Sequence, residues 1–292
     1  MDGFALLGSH LGDPDRKILT PPQIRSLTER MELLTGNDPE RELTVEDFLN
    51  LGYGRDMACR VLELLQGKEQ LAAYLREGER HGCRLLTRGE ENYPLLLRKR
   101  LGGESPCCLF YKGDPGILQK PAIALVGSRD LEEENQSFAR EAGRQAALHG
   151  LSLVSGNARG ADREAQRACL EAGGTVISVV ADSLEEKQTD PRILYLSQED
   201  WDMPFSSARA LSRNHVIHGL GLLTLVAQCS LGTGGTWSGT TKNLRRGWSL
   251  VACFRDGSEA SFALQDQGAY LIGIEDLERL TDLQDPQMNL FD

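Results

Sequence analysis

The chain has few aromatic residues, no surplus of positive charge and no apolar run long enough to cross a membrane. Of its 292 residues 6% are aromatic, and 32 Lys and Arg stand against 43 Asp and Glu, for a formal net charge of −11. A globally acidic surface repels polyanions, so any contact with nucleic acid needs a local basic patch assembled by folding. Apolar stretches fall short of the roughly 20 residues a membrane helix requires, so no membrane partner is expected. Met1-Asp-Gly-Phe4 lacks the basic start and apolar core of an export signal, and the expected location is cytoplasmic.

Cys59, Cys83, Cys107, Cys108, Cys169, Cys229 and Cys253 are odd in number and include no Cys-x-x-Cys pair. Reduced structural thiols are therefore expected, not a disulfide framework or a zinc site. The five histidines are scattered without ligand spacing, and no metal is expected. Neither Gly-x-Gly-x-x-Gly nor a Walker A sequence occurs, which argues against a dinucleotide dehydrogenase and a P-loop ATPase. No cofactor is expected.

What is present describes a globular chain, with 40% hydrophobic and 26% charged residues. Residues 1–80 read as a helical N-terminal domain. Thr20-Pro-Pro opens a helix carrying Ile24, Leu27, Met31 and Leu34 at helical spacing, and Thr44-Val-Glu-Asp47 caps another before Phe48. From residue 81 the texture changes. Cys83–Thr87 and Cys108–Lys112 are strand-like and either cover or extend a main sheet. From Pro121 strands and helices alternate: runs at 123–126, 152–156, 175–180, 222–227, 249–254 and 270–274 predict strands. The stretch 182–208 reads as irregular and 209–220 as one helix. The fold class is α/β, an extended Rossmann-like and mainly parallel sheet over 81–275, followed by an acidic tail over 276–292.

Three Gly-rich turns follow strands: Gly127-Ser128-Arg129, Ser155-Gly156-Asn-Ala-Arg159-Gly160 and Gly232-Thr-Gly234-Gly235-Thr236. In a parallel sheet all three lie at one edge, where helix N-termini aim free N–H groups into a common crevice. Gly127 lets backbone approach a ligand closely, Ser128 supplies a hydroxyl, and Arg129 supplies a fork for phosphate. A fourth piece, Arg213-Asn214, opens a helix before a strand; Arg can fork onto phosphate, and Asn can pair with a base or brace a loop. His215 and His218 share one helical face and read as packing or polar-contact residues. Arg159, Arg163, Lys242, Arg245 and Arg246 add positive charge near the crevice, and Trp237 is placed either to stack on a base or to fill the core.

Asn92-Tyr-Pro94, Cys108-Leu-Phe-Tyr-Lys-Gly113, Val126-Gly-Ser-Arg129, Ser155-Gly-x-Ala-x-Gly-x-Asp162 and Arg213-Asn214, in this order, resemble the DprA/Smf DNA-processing family. The resemblance covers roughly residues 80–275. It implies an extended Rossmann-like domain, single-stranded DNA binding, a homodimer, loading of a RecA-type recombinase and no catalytic activity. Carried over by motif, the DNA-facing or pocket positions are Gly127, Ser128, Arg129, Ser155, Gly156, Gly160, Asp162, Arg213 and Asn214, joined by Arg159, Gly234, Gly235, Thr236 and Lys242 from the other turns. Three departures stand out. Gln166 occupies a usual His position, His215 occupies a usual basic position, and Gly234-Gly-Thr-Trp-Ser-Gly239 replaces the usual Ser-Gly turn. The last form is similar to a divergent DprA-like branch and also to the Gly-Gly-x-Gly-Thr turn of LOG-type nucleotide phosphoribohydrolases. Those enzymes place a Glu just after the turn, where this chain has Thr240-Thr-Lys-Asn243.

Two alternatives follow. A nucleotide sensor or LOG-like N-glycoside hydrolase would require a pocket carboxylate, for which Asp162 is the candidate. A structural adaptor would act through its tail. There Gln287, Met288, Leu290 and Phe291 form a Gln-x-x-Leu-Phe pattern that resembles the peptide docking bacterial proteins on the β sliding clamp, with apolar anchors and an orienting amide.

Overall fold

The computed structural model describes residues 2–32 and 42–280. Five helices come first: α1 (Asp2–Gly8), α2 (Pro21–Met31), α3 (Val45–Asn50), α4 (Arg55–Leu65) and α5 (Lys68–Arg80). Both expected caps form. Gln23 accepts from the Thr20 N–H at 2.9 Å, and Asp47 accepts from the Thr44 N–H at 2.8 Å. Then come β1 (Cys83–Thr87), α6 (Leu95–Leu101), β2 (Cys108–Lys112), β3 (Ala122–Val126), α7 (Glu133–Leu148), β4 (Ser152–Ser155), α8 (Ala161–Glu171), β5 (Thr175–Val179) and β6 (Ile193–Ser197). The remainder is α9 (Ser207–Ser212), α10 (Asn214–Leu220), β7 (Leu223–Val226), α11 (Gly234–Arg246), β8 (Leu250–Phe254), α12 (Glu259–Asp266) and β9 (Tyr270–Ile272).

The nine strands form one sheet in the order β1-β2-β6-β5-β4-β3-β7-β8-β9. Seven of them, β6 to β9 in that order, pair in parallel, while β2 pairs antiparallel with β6 and β1 antiparallel with β2. The first two strands therefore extend the sheet. All of β3 and β4 is buried, as expected where helices cover both faces of a parallel sheet. On one face, Phe138, Ala142 and Ala146 of α7 and Ala165 of α8 pack on Ile123, Leu125 and Leu153. On the other, Leu97 and Leu101 of α6 and Val216, Ile217 and Leu220 of α10 cover Ala124, Val126 and Val154. The N-terminal helices share a third cluster with Cys83, Cys108, Phe110 and Trp201.

Two expectations are corrected. The stretch 182–208 is not irregular throughout, because it contains β6, which carries the antiparallel extension through Tyr111↔Leu196. Residues 209–220 form two helices, not one, meeting at Arg213. Among the described residues no helix is long and apolar enough to cross a membrane. The Gln287–Phe291 pattern lies outside the described residues.

Candidate nucleic-acid interface

Strand order reverses at β3, which pairs with β4 on one side and β7 on the other. Chain leaving the carboxyl ends of neighbouring strands diverges there, and a crevice opens. A pocket of about 600 Å³ occupies it, lined by Gly127, Ser128 and Arg129 after β3, Asp162 of α8, Arg213 and Asn214, and Gly234, Gly235 and Thr236 of α11. Nine of the fourteen residues expected to bind nucleic acid or nucleotide thus converge.

The glycines are required by packing of the loops on one another. A Cβ on Gly127 would overlap Ala161 at the start of α8, and one on Gly160, at φ +83°, would overlap the Ser128 carbonyl. Gly127 lines the pocket, and its missing side chain also admits the start of α8. The Ala161 N–H donates to the Ser128 carbonyl at 3.1 Å, and the Thr236 hydroxyl donates to the Gly127 carbonyl at 2.9 Å. The α11 start is thereby fixed against the β3 turn. Its first turn carries no acidic residue, so its unpaired N–H groups and dipole leave a positive end at the pocket.

Arg213 is 7% exposed. One Nη donates to the Gly156 carbonyl and the other to Asn214 Oδ1, both at 3.0 Å, while Nε is buried without a partner among the described residues. The Asn214 amide donates onward to the Gly235 carbonyl at 3.1 Å. Arg213 is thus a brace that ties the β4 turn to the α11 start, and Asn214 is the second link. Asp162 Oδ2 accepts the Gly156 and Ala158 N–H groups, each at 3.1 Å. Burial pushes its carboxyl above the usual range, opposed by Arg213, the two N–H donors and Arg129. Burial likewise lowers the Arg213 pKa, with Asp162 acting the other way. Arg129 is exposed and lines the pocket without a protein partner among the described residues, so its charge is available to a ligand.

Five expected residues lie elsewhere. Ser155 is fully buried and accepts from Gln166 at 2.6 Å, and Gly156 and Gly160 shape the loops beneath the pocket. Arg159 pairs in solvent with Asp130 at 2.7 Å. Lys242 lies over the Trp248 ring and pairs with Glu104 at 3.0 Å, lining a separate cleft of about 490 Å³ between α2 and α11. Trp237 is partly buried against the core under α10. Sequence reasoning missed the α9 residues Ser207, inside the stretch read as irregular, and Ala210 and Leu211, in the stretch read as helix but given no role. It also missed His218 as a wall of the pocket. The signal for His218 was available, since it sits one helical turn after Asn214.

The fold and site define an extended Rossmann-like protein with a crevice at its switch point. The chain belongs to the DNA recombination-mediator protein A family, the DprA/Smf family, whose model matches residues 84–277. Over 183 residues the chain is 28% identical to DNA processing protein DprA of Streptococcus pneumoniae, a match covering 59% of this chain and 60% of that protein. The chain thus spans only about 60% of that curated relative's length. The X-ray structure of DprA from Streptococcus pneumoniae aligns with a TM-score of 0.70 at 22% identity, covering 91% of this chain and 99% of that one. A structure of DNA processing protein A from Helicobacter pylori, titled for its single-stranded DNA binding mode, aligns with a TM-score of 0.56 at 20% identity, covering 68% and 94%.

Proposed function

We propose that this chain binds single-stranded DNA, holding backbone phosphate in the switch-point pocket, and acts in DNA processing and recombination as a mediator. The observation that carries the reading is the convergence of an unpaired Arg129, the α11 N-terminus and the braced Arg213 on one pocket. This arrangement concentrates positive potential locally in a chain of net charge −11. The Helicobacter pylori neighbour, titled for a single-stranded DNA binding mode, supports the same ligand class. Loading of a RecA-type recombinase and a homodimer rest on the family resemblance, and clamp docking on the Gln287–Phe291 pattern. The hydrolase alternative is less supported, because Asp162 is the only carboxylate among the described residues that line the pocket and its Oδ2 is taken by two backbone donors.

The test is a titration of labelled single strand, duplex and mononucleotide at two salt concentrations. Single-strand binding should be tightest and salt-sensitive. Arg129→Ala should weaken it and reduce the slope of log K against log salt by about 0.7, the share of one phosphate contact. Mononucleotide binding without polymer binding would overturn the reading.

A further inference from the structure

His218 sits at the floor of the same pocket and is 1% exposed. A chain of hydrogen bonds sets which of its ring nitrogens carries the proton. The Ser249 backbone N–H can only donate, and it meets Asn243 Oδ1 at 3.0 Å. The Asn243 amide orientation is therefore fixed, and its Nδ2 donates to Ser249 Oγ at 3.0 Å and to His218 Nδ1 at 3.3 Å. Thr224 Oγ1 stands 3.2 Å from the same nitrogen. Nδ1 must accept, so the proton of the neutral ring resides on Nε2. Nε2 has no protein partner among the described residues and is the polar atom by which the ring meets the pocket.

The ring stays uncharged in this setting. Burial depresses its pKa to about 3, helped by His215 and Arg213, and no carboxylate faces it directly. Arg213, which lines the same pocket, carries a buried Nε–H without a partner among the described residues. Native proteins rarely leave such donors unpaired, and those that do commonly keep them for a ligand. The α11 backbone approaches the ring closely: a Cβ on Gly239 would stand only 3.1 Å from both His218 Nε2 and Asn214 Nδ2, so glycine there avoids crowding them.

We infer that His218 is a ligand-contacting residue whose neutral Nε2–H, held in one tautomer by Asn243 and Ser249, donates a hydrogen bond to a phosphate oxygen seated between the α11 N-terminus and Arg129. The inference rests on the proposed pocket function and adds a specific contact to it. The acceptor is an anionic oxygen because the surrounding field is positive: Arg129, Arg213 and the helix end face it, and Asp162 is engaged by backbone and Arg213. A phosphodiester in a strand and a free phosphate monoester share this chemistry.

The experiment is ring-nitrogen NMR of histidine-labelled full-length protein, with the His218 signals assigned through His218→Gln. The probes are inorganic phosphate, thymidine 5′-monophosphate and an oligothymidylate. The free protein should show the Nε2–H form with no titration near the ordinary His value of 6.5. A bound probe should shift Nε2–H. His218→Leu should weaken binding about tenfold, the loss of one hydrogen bond to a charged group, and His218→Gln, which keeps a donor, should lose less. An Nδ1–H form, or binding that leaves Nε2–H unmoved, overturns the inference while leaving strand binding intact. A shift with phosphate but none with the oligonucleotide supports the His218 contact and removes the strand reading. Binding of no probe removes both.

Discussion

A guanidinium almost excluded from water needs fixed acceptors within the protein, and Arg213 has them only because position 156 lacks a side chain. Any Cβ on Gly156 would overlap the guanidinium. The bonds from Arg213 to the Gly156 carbonyl and to Asn214 therefore depend on that glycine. Gly156→Ala should expel the arginine from its seat, strip Asp162 of its charge partner and lower stability by about 1–3 kcal/mol. Urea unfolding would read the loss, and the same variant should bind single strand more weakly although residue 156 does not line the pocket. Unchanged stability would mean that Arg213 is not the brace described. Arg129 presents the opposite case: it is exposed and has no hydrogen bond or ion pair among the described residues, and it touches the buried charges only at long range, so Arg129→Ala should alter binding far more than stability.

At the scale of elements, the turns after β3, β4 and β7 were legible because each ends an apolar run with Gly, and a parallel sheet gathers such ends at one edge. β6 was not legible. Its apolar run, Ile193-Leu194-Tyr195-Leu196, is short and lies between polar stretches, with Ile193 and Tyr195 only partly buried, and it was absorbed into the irregular reading of 182–208. The break between α9 and α10 was hidden for another reason: Arg213 keeps helical dihedrals of φ −70° and ψ −11°, and no Gly or Pro interrupts the periodicity. Nor could the sequence show that Lys242 turns away from the crevice, because its direction is set by Glu104, far off in the chain. Glu104 accepts Lys242 at 3.0 Å and Arg246 at 2.8 Å, joining the corner after α6 to the end of α11. Burial alone would raise the Glu104 pKa, but the Lys242 bond and the charges of Lys242, Arg246 and His215 outweigh it and bring it below the ordinary 4.5. A carboxyl depressed in the folded state stabilises above its unfolded pKa and loses that contribution as pH falls through its folded value. Thermal unfolding across this range should show the native protein ahead of Glu104→Gln by about 1 kcal/mol or less near neutrality, and the two converging once Glu104 is protonated. A constant gap at all pH values would refute the ion-pair origin.

At the scale of the whole molecule, the question is whether the helices of residues 2–80 and the sheet that follows behave as separate units. Their boundary was drawn from a change of texture in the sequence. The packing crosses it through the loop after β6. Asp200 accepts from Ser9 Oγ at 2.8 Å and from the Gly12 N–H at 2.9 Å, and Tyr74 donates to Asp202 at 2.5 Å. Between these two carboxylates Trp201 stacks on His81, with ring centroids 5.4 Å apart, and lies 5.3 Å from the Tyr74 ring. Tyr74 in turn meets Phe110 of β2 edge-on at 6.1 Å. One apolar cluster thus includes residues of α1, α2, α4 and α5 together with β1, β2 and Trp201. Separating the layers would expose that cluster and strip Asp200 of its donors. The same loop runs on into α9, which walls the pocket, so docking of the helices also fixes one side of the binding site. The chain should therefore unfold in a single transition, with far-ultraviolet circular dichroism and tryptophan fluorescence tracing coincident curves in urea. Trp201→Ala should remove about 3–5 kcal/mol and separate the curves, the helical layer melting first. Coincident curves in that variant with little loss of stability would show that the layers are joined elsewhere, and two transitions in the unaltered protein would make the helical segment a domain in its own right.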